Sequence, residues 1–110
     1  MNAFKLKTHD GSAVAAGTSS TVYTSPASTT TIVLGLTLSN ITAQTIYASV
    51  GITNSDGDNV NFLKNVPIPT GSAIEVMSGN KIVLETGDSV TVSSDTANSL
   101  DTTMSIMEQS

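Results

Sequence analysis

Few side chains in this sequence could do chemistry, and their types and spacing decide which chemistry that would be. His9 is the only histidine, and there is no cysteine. A lone imidazole cannot build a Ser-His-Asp relay or a His-based zinc site from this chain alone, so His9 reads as a solvated bystander. Glu75, Glu85 and Asp88 are close enough in sequence to be weighed as the carboxylate pair of a glycoside hydrolase. Such a pair sits in a cleft, usually with aromatic platforms for the sugar. The aromatics here are only Phe4, Tyr23, Tyr47 and Phe62, and Glu85 and Asp88 fit turn chemistry better. Asp56-Gly57-Asp58-Asn59 resembles a fragment of a calcium loop. An EF-hand would need further carboxylates and a glutamate near the end of the loop. That glutamate is absent, and a tight turn explains the same residues. Asn40-Ile41-Thr42 matches the glycosylation tripeptide, which carries little weight without a secretion signal. No phosphate-cradling glycine loop, nucleophile elbow or basic–aromatic patch is present. The expectation is a non-enzyme with no catalytic residues, no cofactor and no metal.

What remains is contact chemistry. Two of the four lysines, Lys5 and Lys7, lie in the first seven residues and alternate with Phe4 and Leu6, while the whole chain carries a net charge of −5. The rest is therefore more acidic than the total, and such a surface repels nucleic acid and anionic membranes. Neither is expected as a partner. Phe4, Lys5, Leu6 and Lys7 could lie across a partner's surface or add a strand to its edge. Pro67 and Pro69 remove two ladder donors and mark an edge strand or a crossing between sheets, a second candidate contact region.

The elements that must position these residues are strands. The 110 residues make one domain, long enough for a single core. Without cysteine or tryptophan that core is aliphatic, and 33 of the 110 residues are Ser or Thr, which suits pleated surfaces and turns. Residues 1–20 read as a flexible N-terminal arm and 21–110 as the folded domain. Thr21–Thr24 is a short strand. Thr29–Leu38 is the longest, with Ile32, Leu34, Leu36 and Leu38 on one face and Thr31, Val33, Gly35 and Thr37 on the other. Thr45–Thr53 turns Ile46, Ala48, Val50 and Ile52 inward and Tyr47, Ser49 and Gly51 outward. Val60–Val66 and Ala73–Met77 follow, then a turn at Ser78-Gly79-Asn80. Ile82–Leu84 and Val90–Val92 flank Glu85-Thr86-Gly87-Asp88 as a hairpin. Thr102–Glu108 closes the chain, with Met104 and Ile106 on one face. Apolar residues recur every second position, with breakers between runs, and no useful helical period is present. The expected fold is all-β: one small antiparallel β-sandwich of seven or eight strands, jelly-roll-like or immunoglobulin-like. Neither a leader peptide nor a membrane span is legible, so a soluble chain made in the cytoplasm is expected.

Several phrases carry a resemblance: Thr29-Thr30-Thr31-Ile32-Val33-Leu34-Gly35-Leu36-Thr37-Leu38-Ser39-Asn40, Tyr47-Ala48-Ser49-Val50, Leu63-Lys64-Asn65-Val66-Pro67-Ile68-Pro69, Gly79-Asn80-Lys81-Ile82-Val83-Leu84-Glu85-Thr86-Gly87-Asp88 and Ser93-Ser94-Asp95-Thr96-Ala97-Asn98-Ser99-Leu100. Over residues 20–108 the chain resembles small virion structural proteins of tailed bacteriophages, notably marine cyanophages. The resemblance implies a capsid decoration or cement protein on the virion surface, made in the host cytoplasm, bridging major capsid protein subunits and joined to copies of itself as a homotrimer. A neck, tail or fibre component is the alternative within that class. A small carbohydrate-binding module, with Tyr47 as its sugar platform, is the alternative outside it.

Overall fold

The computed structural model describes residues 2–11, 14–77 and 81–109, and among them every regular element is a strand. The chain order is β1 (Asn2–His9), β2 (Ser20–Thr24), β3 (Thr30–Asn40), β4 (Ile46–Thr53), β5 (Asn59–Ile68), β6 (Ala73–Glu75), β7 (Ile82–Leu84), β8 (Ser89–Ser94) and β9 (Leu100–Gln109). They build two antiparallel sheets. The first runs β1-β9-β3-β6, with β7 also paired to β3, and the second runs β2-β8-β4-β5. β6 pairs with Thr37–Ser39 and β7 with Thr31–Val33, so the two short strands share one edge of β3. Each sheet thus has four strand positions. Apart from β4–β5 and the β6–β7 step, every link changes sheet. This is the jelly-roll form of the expected sandwich. An immunoglobulin-like sandwich would keep its first two strands in one sheet, whereas β1 and β2 lie in opposite sheets.

The core lies between the sheets and is aliphatic, as the composition requires. Leu36, Leu38, Ile46, Val50, Ile68, Met77, Leu84, Met104 and Ile106 are fully buried there. On β4 and β9 the alternation predicts the faces directly: Ile46, Ala48 and Val50 go in with Met104 and Ile106, and Tyr47 goes out. β5 is the edge strand of the second sheet and leads across to the first, as Pro67 and Pro69 foretell.

Three local expectations change. First, β3 does not keep one face. Leu34 and Gly35 together oppose Ser105, and this β-bulge shifts the register between Val33 and Gly35. Thr31 and Val33 are therefore buried with Leu36 and Leu38, while Ile32 and Leu34 point outward. Second, Ile82–Leu84 and Ser89–Ser94 are not a hairpin, because β7 belongs to the first sheet and β8 to the second. The turn itself forms: the Asp88 N–H donates to the Glu85 carbonyl at 2.9 Å, and Gly87 takes a φ of 88°. It turns a corner because Ser25 grips it. Gly87 N–H donates to the Ser25 carbonyl at 3.0 Å, and Ser25 N–H donates to the Asp88 carbonyl at 2.9 Å. Third, residues 2–9, expected as part of a free arm awaiting an edge, find that edge on their own chain. β1 pairs with β9 over its whole length, Asn2 opposite Gln109 through His9 opposite Thr102. The turn expected at Ser78-Gly79-Asn80 lies outside the described residues.

Candidate interaction surface

The carboxylates weighed for hydrolysis do not converge. Glu75 sits beside Thr37 on β3, whereas Leu84, next to Glu85, sits beside Thr31. These two points are six steps apart along β3, about 20 Å of strand. Glu75 and Asp88 are used as backbone acceptors. Glu75 Oε1 accepts the N–H groups of Leu36 (3.0 Å) and Met77 (3.1 Å), and Oε2 accepts the Thr37 hydroxyl (2.9 Å). Burial alone would raise the Glu75 carboxyl, but those donors outweigh it and hold the group below its usual value. Asp88 accepts from Glu85 N–H (2.9 Å) and Ser55 N–H (3.0 Å).

The other chemical candidates resolve as structure too. Asn54 Oδ1 accepts the N–H groups of Asp56 and Asp58, each at 3.0 Å, and Gly57 takes a φ of 95°, so the calcium-like residues form the β4–β5 turn. No group of three or more metal-ligating side chains exists among the described residues. Asn40 is buried, and its amide is fully used. Its Nδ2 donates to the Gln44 (2.7 Å) and Ile68 (2.9 Å) carbonyls, and its Oδ1 accepts from Thr42 N–H (2.9 Å) and Oγ1 (2.7 Å). A buried amide in that network offers nothing to a glycosyl donor. His9 is no bystander in solvent: its Nδ1 is buried without a hydrogen-bond partner among the described residues, as is Oγ1 of Thr102, the residue opposite it. A cavity of about 10 Å³ lined in part by His9, Val14, Ser94 and Leu100 lies there, close to the room one water needs. The larger depression, about 320 Å³, lies over Gly51 between Thr53, Asn59, Asn61 and Thr91. It holds no carboxylate, histidine or aromatic ring, and Tyr47 is not among its walls.

The feature with a physical direction is β1, which is amphipathic the wrong way round for an edge strand over a core. Lys5 and Lys7 take its inner side. Lys5 Nζ pairs with Glu108 Oε1 at 2.8 Å, and Lys7 Nζ lies 5.9 Å from the Tyr23 ring centroid. Below them Tyr23 OH donates to Glu108 Oε2 at 2.5 Å and lies 2.8 Å from Thr31 Oγ1, which in turn lies 3.0 Å from Ser25 Oγ. The Lys5 ammonium first, and the Tyr23 hydroxyl second, hold the Glu108 carboxyl below its usual value. Burial, seconded by Glu108, pushes the Tyr23 phenol up. This closed network is satisfied by charge pairing. Ser25 Oγ donates to the Thr29 carbonyl at 3.0 Å, so no base activates it as a nucleophile.

With the lysines inward, Phe4 and Leu6 face out, 75% and 63% exposed. The register then makes a row across four strands. Phe4 of β1 is opposite Met107 of β9, Met107 is opposite Ile32 of β3, and Ile32 is opposite Val83 of β7. Val83 is 60% exposed, and Leu34 in the bulge adds an apolar side chain 38% exposed. Three inter-strand spacings make the row about 14 Å long. Its exposed apolar surface is on the order of 400 Å², within the range of the largest patch on an ordinary monomer, which is often functional. Phe4 and Leu6 are legible in the sequence as contact residues. Met107, Ile32 and Val83 are not, because only the sheet order places them side by side. Lys5 and Lys7 serve the inner network instead. Pro67 lies opposite Tyr47 on the outer strand of the second sheet, and Pro69 follows that strand and accepts the Ser72 N–H at 3.2 Å, so neither joins the row.

No protein-family model matches the chain, and no curated protein matches it significantly. Among solved structures it is similar to one described as "Bacillus endospore appendages form a novel family of disulfide-linked pili", with a TM-score of 0.53 and 15% identity over 98% of this chain and 84% of that one. At that identity the likeness shows the fold. It also corrects the expected role of bacteriophage capsid decoration, with its neck, tail or fibre alternative, because the solved structure on this fold has the different structural role of a pilus. The physical reason is that a jelly roll is a scaffold, and its use is set by its surfaces.

Proposed function

We propose that this chain is a non-catalytic structural subunit that assembles with copies of itself, and that the outer face of the first sheet is its contact surface. The observation that carries the reading is the apolar row Phe4, Met107, Ile32 and Val83, flanked by Leu6 and Leu34. A β strand that turns phenylalanine and leucine to solvent and lysine to the protein is stable only with those lysines paired, and it leaves apolar surface that gains by being covered. The likeness to a pilus subunit supports a self-assembling role. That protein is described as disulfide-linked, whereas this chain has no cysteine, so no disulfide joins its copies. A second copy fits the row for a further reason. Lys81 and Glu85 stand two residues to either side of Val83. A two-fold arrangement that sets Val83 against Val83 brings each lysine toward the other copy's glutamate.

Sedimentation velocity and negative-stain electron microscopy test this on the wild type and on a Phe4→Ser/Val83→Ser variant. The expected result is concentration-dependent multimers of the wild type, weakened at least tenfold in the variant, with the thermal midpoint changed little because both side chains are exposed. A wild type that stays monomeric up to millimolar concentration, or a variant that associates equally well, refutes the proposal.

A further inference from the structure

We infer that β1 is an exchangeable strand: in the multimer the β1 of one copy pairs with β9 of the next, in the register it uses at home. This rests on the self-assembly reading and goes past it by naming the segment that passes between copies and the groove that receives it.

Three observations carry the inference. β1 is eight residues long, and its side chains are at most half-buried. Its inward grip is polar, an ion pair from Lys5 to Glu108 and Lys7 over the Tyr23 ring. Both attachments are offered in identical form by any copy, because Glu108 and Tyr23 belong to the acceptor side. Exchange therefore remakes both of these contacts on the neighbouring copy.

The chain also has the reach. The link to β2 is tied to its own subunit at Val14, whose carbonyl accepts the Asn98 N–H at 2.9 Å, and at Gly17, whose N–H donates to the Ser94 carbonyl at 2.7 Å. From His9 to Val14 is five residues, about 17 Å when extended. Two sheets stacked face to face lie about 10 Å apart. A copy resting on the apolar row thus brings its β9 within reach of this β1. Along the link the Gly11 N–H to Asp101 Oδ1 bond at 2.9 Å has to be released or remade on the partner. In the exchanged state Phe4 and Leu6 come from one copy while Met107 and Ile32 come from the next, so the row is complete only in the assembly.

Absence of native cysteine makes the test clean. Leu6 and Ser105 are opposite each other on the outer face. Opposed residues of an antiparallel pair have Cα atoms about 4.5–5.5 Å apart, within disulfide range. Leu6→Cys/Ser105→Cys is assembled, oxidised and run on a non-reducing denaturing gel beside Thr8→Cys/Thr103→Cys, which bridges the same strands where both side chains are exposed. Exchange predicts chains covalently joined to one another, a dimer at the least, from the multimer fraction and single chains from the monomer fraction, in at least one of the two variants. Multimers that yield only single, internally bridged chains overturn the exchange and leave face-to-face assembly standing. No multimers from wild type or either variant overturns both.

Discussion

Gly11→Ala should loosen β1 and lower the stability of the whole domain. Gly11 is buried where the chain leaves β1, and a Cβ placed on it would lie 1.8 Å from the Leu100 carbonyl oxygen and 2.6 Å from the Leu100 carbonyl carbon. Backbone cannot yield as a side-chain tip does, so Gly11 must retreat from β9 by more than about 1 Å to restore ordinary contact. That retreat breaks the 2.9 Å bond from its N–H to Asp101 Oδ1. Overpacking of this kind costs about 1–3 kcal/mol and the lost hydrogen bond about 0.5–1.5 kcal/mol. A total near 2–4 kcal/mol corresponds to a fall in Tm of roughly 8–16 °C in a domain of this size. Calorimetry reads the global loss, and amide hydrogen exchange over residues 2–9 reads whether β1 has been released. Gly35→Ala is the control, since the nearest atoms to its added Cβ are the Glu75 carboxylate oxygens at 3.9 Å. It should leave both readouts near the wild type. A Gly11→Ala protein melting within about 2 °C of the wild type, with β1 equally protected, would refute the reasoning.

Acid should weaken the fold through Glu108 and Glu75, both held below their usual values. Their stabilisation is complete above the ordinary carboxylate range, near pH 4.3, and is lost as pH falls through their lower folded values. Lys5→Met should flatten that decline in an acid titration followed by circular dichroism, leaving the shares of Glu75 and of the Tyr23 bond to Glu108; an unchanged slope counts against the ion pair. Tyr23→Phe removes a buried hydroxyl bonded to Glu108 and Thr31 and should lower Tm by several degrees, from about 1 kcal/mol. Because the Tyr23 phenol is raised, its contribution is complete below about pH 10 and lost as pH climbs past it, so the same variant should lose part of the alkaline decline. Deleting Leu34 should be tolerated better than Leu36→Ala, which empties a fully buried site at about 2–5 kcal/mol. Without Leu34 the strand alternates regularly, and Val33 and Leu36 both still face inward. Urea midpoints rank the two, and a deletion that unfolds the chain refutes the bulge argument.

Much of the candidate surface was half legible. Phe4 and Leu6 stand out because they alternate with lysines, and an apolar side chain on a basic segment invites a partner. Ile32 and Leu34 read as core because a two-residue period cannot announce an inserted residue, and the bulge opposite Ser105 turns them outward. Val83 read as the off-face of a hairpin. Met107 carried no signal at all, since its exposure follows from which strands flank β9.

By itself, the sequence determined the strands, their turns and the nature of the core. A two-residue period over β-branched and aliphatic side chains admits only pleated structure, and Gly57 and Gly87 supply the positive φ their turns require. Tertiary structure decided everything non-local. Whether Glu85–Asp88 closes a hairpin or turns a corner depends on Ser25, sixty residues upstream, offering both backbone partners. Likewise, whether β1 shows its lysines or its phenylalanine to solvent depends on Glu108 waiting beneath it at the far end of the chain. Local periodicity sets which residues share a face, and only the packed partner sets which face is buried.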